Sequence, residues 1–382
     1  MDITSYMLGK KSGGGQPTGE IAITTNGTYD VKNYAMANVN VPTGGETVEE
    51  KYVNFCDYDG KITNSYTKDE FLALGSMPSN PTHSGLVAQG WNWNLVDAKN
   101  YVSKYGKLKI GQMYTTESGL LEIDIELTPD TGMQQSVVFP TGTIDWGDGT
   151  VNTSSTHTYS NYGKYTITCN FTRTFDISAF GQNSDNPNYT VKHIRLAGTS
   201  KTGNFWFQYC YALKTVTIAK EVKTISTQTF DHCSALENVV IPNEMAGLST
   251  KTFTYCYSLK NAILPWNMNI NNAFQFCYSL EYGIIPGNVA TLYKPYSTCY
   301  NLKKIAIPSQ VTAIDNSAFT DCNALYIVDC SQHTSIPTLG TDVFRNTSPT
   351  LKIIVPDALY DDWKVATNWS TWANYIVKAS EV

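Results

Sequence analysis

Apolar residues along the chain follow two different periods. Between residues 21 and 190 they alternate in short runs, as in EIAITTNGTYDV, LLEIDIEL and KYTITCNF. Such alternation predicts half-buried β-strands. Beyond residue 190 a longer period takes over: an aromatic residue, a cysteine three positions on, a leucine three further, then a short β-branched run. The cysteines are Cys210, Cys233, Cys256, Cys277, Cys299 and Cys322, separated by 23, 23, 21, 22 and 23 residues. The preceding aromatics are Phe207, Phe230, Phe253, Phe274, Tyr296 and Phe319, and the following leucines are Leu213, Leu236, Leu259, Leu280, Leu302 and Leu325. One such unit cannot bury its aromatic, thiol and leucine alone. Stacked coils can, with each strand pairing in parallel with the next.

Proline ends several of the strand runs (Pro242, Pro265, Pro286, Pro308), because it cannot donate to a ladder. The residues between one strand and the next return the chain to the start of the following coil. Ala262 and Gly283 weaken the inward strand position, so those two coils are expected to be flatter.

The frame F-x-x-C-x-x-L-x-x-(I/V)-x-I-P resembles the BspA-type leucine-rich repeat over about 170 residues. That resemblance implies a non-enzymatic solenoid of a bacterial surface or phage-associated protein. Three further resemblances precede it. NGTYDV with YAMANVNV, residues 26–41, is similar to a small β repeat of phage and prophage tail-fibre proteins. MPSNPTHSGLVAQGWNW is similar to the second half of an internalin-type β-grasp repeat, although the helix expected next, over NLVDAKNYVSKYG, departs from it. DWGDGT followed by HTY and YTIT resembles a PKD-type immunoglobulin-like sandwich, which implies a core role for Trp146, a turn fixed by Asp145 and Asp148, and a structural His157.

The fold class expected is therefore mainly β and multidomain. Residues 1–20 read as a flexible attachment segment and 21–45 as a β-hairpin repeat about Asn26-Gly27. Residues 46–116 read as a small α+β, β-grasp-like domain, with a hairpin at Asp59-Gly60 and a capping box at Thr67 and Glu70. Residues 117–190 read as the PKD-like β-sandwich, 191–355 as the leucine-rich-repeat solenoid, and 356–382 as a helical C-terminal cap carrying Leu359, Trp363 and Ala366. Trp369 and Trp372 belong either to the cap core or to a ligand contact.

Composition narrows the chemistry. The 382 residues carry 33 acids against 27 bases, a net charge of −6, which disfavours nucleic acid and anionic membranes as partners. No apolar run is long enough to span a membrane, so no membrane insertion is expected. MDITSYMLGKKSGGGQPTGE carries no signal-peptide core, so either a leader was removed or the protein leaves the cell another way. Nine cysteines occur without CxxC pairs. One per repeat reads as a small core residue chosen for size, with disulfides between stacked coils as the alternative. No nucleophile elbow, zinc-ligand spacing or phosphate loop is present, the five histidines are scattered, and no catalytic residue, metal site or cofactor is assigned.

The candidate binding residues flank the repeat cysteines: Tyr209, Tyr211, His232, Tyr255, Tyr257, Phe276, Tyr278 and Tyr300. With Phe, Cys and Leu inward, these should align outward as an aromatic stripe. Tyrosine-rich surfaces suit adaptable recognition. The stripe therefore reads either as a binding surface or as a cover for apolar edges, with equal claim. The expected partner is a cell-surface glycan or protein receptor, with other virion tail components if the protein is a phage fibre. The expected location is then a virion tail or extracellular space, alternatively the bacterial surface. An oligomer is possible, a trimer if a fibre, but no heptad pattern imposes one.

Overall fold

Alternation and repeat both become structure in the computed structural model, which describes residues 52–137, 142–171 and 183–382. All of these lie in the unit Glu49–Val382. The attachment segment and the NGTYDV hairpin lie outside the described residues.

The α+β region begins with β1 (Val53–Cys56) and β2 (Ile62–Tyr66), paired antiparallel about the Asp59-Gly60 turn. Helix α1 (Lys68–Ala73) opens on the expected reciprocal box between Thr67 and Glu70. Strand β3 (Leu86–Trp91) leads to α2 (Leu95–Tyr105), which is capped by Asn94 and stopped by Gly106 at φ 96°. The helix buries Ala98, Tyr101 and Val102, while Leu95 and Tyr105 stay partly covered. Strand β4 (Leu108–Thr116) completes a mixed sheet ordered β2-β1-β4-β3.

Next come β5 (Leu121–Leu127), β6 (Gln134–Ser136), β7 (Gly142–Asp145), β8 (Val151–Asn152), β9 (Thr156–Thr158) and β10 (Gly163–Phe171). Strands β6 and β9 form a separate two-stranded ribbon. Trp146 is buried, Asp145 accepts from the Gly147 N–H, Asp148 accepts from the Thr150 N–H, and His157 stacks on Trp146 while meeting Asp148 at 2.7 Å. The region is not a detached module. Its strand β5 pairs antiparallel with β11 (Val191–Leu196), and β11 pairs in parallel with β12 (Thr215–Ile218). One sheet thus runs β8-β7-β10-β5-β11-β12-β13-β14, where β13 is Asn238–Val240 and β14 is Asn261–Ile263. The first solenoid strand would otherwise expose a bare edge, and β5 covers it.

The solenoid makes about eight turns. Its main sheet narrows to single bridges at Tyr282, which touches Asn261 on one side and Lys304 on the other. It resumes through Lys304–Ala306, Ile327–Asp329, Lys352–Val355 and Ile376–Lys378. The flattening expected at Gly283 has a specific cause. Tyr296 stands where the other coils carry phenylalanine, and a Cβ on Gly283 would lie 2.9 Å from its ring. The Tyr296 hydroxyl donates to the Ile284 carbonyl at 2.7 Å, so the longer ring is matched by a missing side chain. Ala262 costs less: its strand keeps three paired residues.

The cap differs from expectation in one respect. Helix α3 (Tyr360–Val365) buries Trp363, and Trp369 is buried with its indole donating to the Pro337 carbonyl. After them the chain adds a further parallel strand, Ile376–Lys378. Trp372 is partly covered, edge-on to Phe344.

Candidate functional site

The wall carrying the candidate stripe is built by an unusual backbone. The residue before each repeat cysteine sits in the left-handed region: Tyr209 (φ 59°), His232 (62°), Tyr255 (60°), Phe276 (61°), Thr298 (62°) and Asp321 (61°). So does the residue four earlier, from Phe205 through Gln228, Lys251, Asn272 and Lys294 to Ser317. For side chains of this size the conformation costs about 1 kcal/mol each. It is repaid by a coil-to-coil ladder: the N–H groups of Tyr209, His232, Tyr255 and Phe276 donate to the carbonyls of Asp231, Thr254, Gln275 and Ser297 in the next coil.

Inside that wall the rings at minus three stack face to face. Phe207, Phe230, Phe253, Phe274 and Tyr296 have centroids 5.4 to 5.9 Å apart and interplanar angles from 2° to 15°. Beside them run the thiols, all fully buried. All nine cysteines are free, so the disulfide alternative is excluded here. The repeat cysteines fill core space, and their thiols also make hydrogen bonds. From Cys233 onward the sulfur donates to the carbonyl of the previous coil's aromatic: Cys233 to Phe207, Cys256 to Phe230 and Cys277 to Phe253 at 3.2 Å, Cys299 to Phe274 and Cys322 to Tyr296 at 3.1 Å. The thiol is chosen for its donor as well as its size. Burial pushes these thiols well above their ordinary pKa, Cys322 to about 12, which keeps them protonated and able to donate.

Outside it lie two further ladders. Tyr209, His232, Tyr255 and Phe276 stack in series at 4.8, 4.3 and 4.5 Å. Tyr257, Tyr278 and Tyr300 stack at 4.7 and 4.6 Å, while Tyr211 meets Tyr189 edge to face and is separated from Tyr257 by Ser234. Edge contacts of 6.3 Å for Tyr209 with Tyr211 and 6.1 Å for Tyr255 with Tyr257 join the two ladders. All eight candidate residues therefore share one wall. The expected outward stripe is nevertheless half-buried, and Tyr278 at 8% exposure is buried, because each ring covers the faces of its neighbours. Under His232 lies the buried carboxylate of Asp231. It accepts from Gln208 and Gln228, and the His232 Nδ1 approaches it at 3.0 Å. Sequence reasoning missed Asp231, since nothing in a lone Gln, Asp, Thr, Gln series marks it.

The opposite wall, the parallel strand face, is covered over its first coils by the α+β region. Asn92 donates to the carbonyls of Ile241 and Ile263, Trp93 to that of Leu264, and Asn238 to that of Asp59, while Tyr282 donates to the Lys107 carbonyl at 2.7 Å. Gly111 admits Val240 so closely that a Cβ there would meet it at 2.4 Å. Cys56, Met113, Val240 and Ile263 form a small apolar cluster across the contact.

Residues 178–296 and 271–361 match the BspA type leucine rich repeat region, in six copies. The solenoid is thus similar to BspA-type leucine-rich repeats. Solved structures similar to the chain include a leucine-rich repeat protein from Bacteroides ovatus (25% identity, 58% of this chain and 60% of that one, TM-score 0.42). Others are a leucine rich repeat protein of T. pallidum (18%, 43% and 64%, 0.28) and a leucine rich cell surface protein from Faecalibacterium prausnitzii (20%, 47% and 60%, 0.26). The match spans about three fifths of each of these chains. No curated protein matches the sequence. Among the described residues no helix is long and apolar enough to cross a membrane, and no group of His, Cys, Asp and Glu could hold a metal ion.

Proposed function

We propose that the protein is a non-enzymatic adhesion or receptor-binding protein, and that its leucine-rich repeat recognises a cell-surface glycan or protein with the double ring ladder. The observation that carries this reading is the division of the solenoid's walls. The strand face of the first coils is occupied by the chain's own α+β region, whereas Tyr209, His232, Tyr255, Tyr257 and Tyr300 on the other wall stay half-buried, with part of each side chain accessible. Rigid amphipathic rings bind at low entropic cost. The finer reading is a phage or prophage tail-fibre component in a virion tail, with residues 1–45 as attachment and hairpin modules and a PKD-like spacer at 117–190. It rests on the NGTYDV and DWGDGT resemblances. The alternative is a bacterial surface adhesin.

The test keeps the stacks and removes the hydroxyls: Tyr209, Tyr255, Tyr257 and Tyr300 are changed together to Phe in the full chain, and binding of the fluorescently labelled protein to bacterial and host cells is measured. A tenfold or greater loss of binding with an unchanged unfolding midpoint is expected. Undiminished binding would remove the ladder from the function.

A further inference from the structure

A second polar site lies away from the ladders, where α2 meets the coil after β14. A cavity of about 100 Å³ opens there, lined by Trp93 and Trp266 together with Asn94, Asp97, Asn243 and Asn267. Its aromatic part is held from several sides. The Trp93 indole N–H is tied to the Leu264 carbonyl, and Trp266 packs against Trp93, Tyr101 and Tyr105 with centroids 5.4 to 6.0 Å away. On the solenoid side Gly287 lies so close that a Cβ there would fall 2.0 Å from the Trp266 ring. The sequence carries the same signature: the residue after the strand-ending proline is Asn243, Trp266, Gly287 and Ser309 in successive coils, so one coil places an indole where its neighbours place small residues, and the next makes room for it.

The polar part is not explained by that packing. Asn94 caps α2 and donates to Asp97 Oδ2 at 2.7 Å, which leaves Asp97 Oδ1 for another donor. The exposed side chains of Asn243 and Asn267 have no hydrogen-bond partner among the described residues. The cavity lining thus combines two free amides, each a donor and an acceptor, with one carboxylate and indole walls, and contains no Lys or Arg. An anion would meet Asp97 with nothing to neutralise it, and a metal cation would find a single carboxylate. Paired hydroxyls on a compact ring satisfy all of these groups at once.

We infer that this junction is a binding site for a neutral saccharide, one sugar ring entering with its hydroxyls on Asn243, Asn267 and Asp97 against Trp93 and Trp266. The site exists only in the assembled unit, since Trp93, Asn94 and Asp97 come from the α+β region and the others from the solenoid. It is separate from the ring ladder.

The test follows tryptophan fluorescence and saturation-transfer NMR of the full chain with glucose, galactose, mannose, fucose, N-acetylglucosamine and N-acetylgalactosamine. At least one should give a saturable change with a Kd on the order of 1 mM or tighter, a usual strength for a single small pocket. The Asn243→Ala/Asn267→Ala pair and, separately, Asp97→Asn should each weaken it at least tenfold with an unchanged unfolding midpoint. The four-tyrosine Phe variant of the ladder should bind the sugar as before, so failure of the ladder and failure of this site are distinguishable. No response to any of the six sugars, a response indifferent to the Asn and Asp changes, or the same response to calcium chloride alone would overturn the inference.

Discussion

The inner and outer ring ladders of the solenoid share a repeat and differ in tolerance. At minus three every coil from Phe207 to Phe319 holds Phe or Tyr, and the one Tyr is matched by Gly283. At minus one the same coils hold Tyr, His, Tyr, Phe, Thr and Asp. Both positions stack, at 5.4 to 5.9 Å inside and 4.3 to 4.8 Å outside. What differs is the consequence of a misfit. Inside, a smaller side chain leaves a cavity; outside, solvent or a ligand fills the place. The outer ladder is therefore freer to vary.

The sharpest way to break this contrast is truncation. Phe253→Ala should cost about 3–5 kcal/mol in urea unfolding, and Tyr255→Ala about 1–2 kcal/mol, since it loses ring contacts worth about 0.5–1.5 kcal/mol beyond area burial. Equal costs would mean that the outer ladder is as structural as the inner one. Next in size, Gly283→Ala should cost about 1–3 kcal/mol by driving a methyl into Tyr296. The same methyl beside a phenylalanine ladder should cost less, so Gly283→Ala combined with Tyr296→Phe should recover part of the loss.

The thiol ladder gives a pH signature. Burial holds these pKa values above the unfolded value of about 8.5. The folded state therefore keeps protons that the unfolded state loses, so this contribution is fully present below pH ~8.5 and declines as pH rises toward the folded values. Stability should fall steadily above pH ~9, and Cys256→Ala, while costing about 1 kcal/mol at neutral pH, should make that fall shallower by up to one proton. A slope unchanged by the substitution would mean that Cys256 does not contribute. The smallest effect is a gain. Lys251 is exposed at φ 59°, and Lys251→Gly should add about 0.5–1 kcal/mol by removing the left-handed penalty.

Much of this was legible in the sequence, and the residues show why. A period of 21 to 23 with three fixed points predicts a coil because only stacking buries Phe253, Cys256 and Leu259 together. The capping box of Thr67 and Glu70, the Asp59-Gly60 turn and the Gly106 stop are local, so a short window contains the whole cause. The buried state of Tyr278 was not legible, because its cover is supplied by Tyr257 and Tyr300 from neighbouring coils. Nor was the hydrogen bond of each thiol, whose acceptor belongs to a carbonyl one coil back. The junction around Trp266 brings together residues about 170 positions apart and leaves only a faint trace, the Trp266 and Gly287 alternation.

The sequence by itself determined the coil, its inward triad and its stop signals, since each follows from side-chain size and backbone freedom within one repeat. Tertiary structure alone decided that β5 closes the solenoid's first edge and that the α+β region lies over the strand face. It also decided which rings keep an edge toward solvent. These outcomes depend on surfaces meeting across long separations, where shape and unpaired hydrogen-bonding groups select the partner and no short stretch of sequence carries the choice.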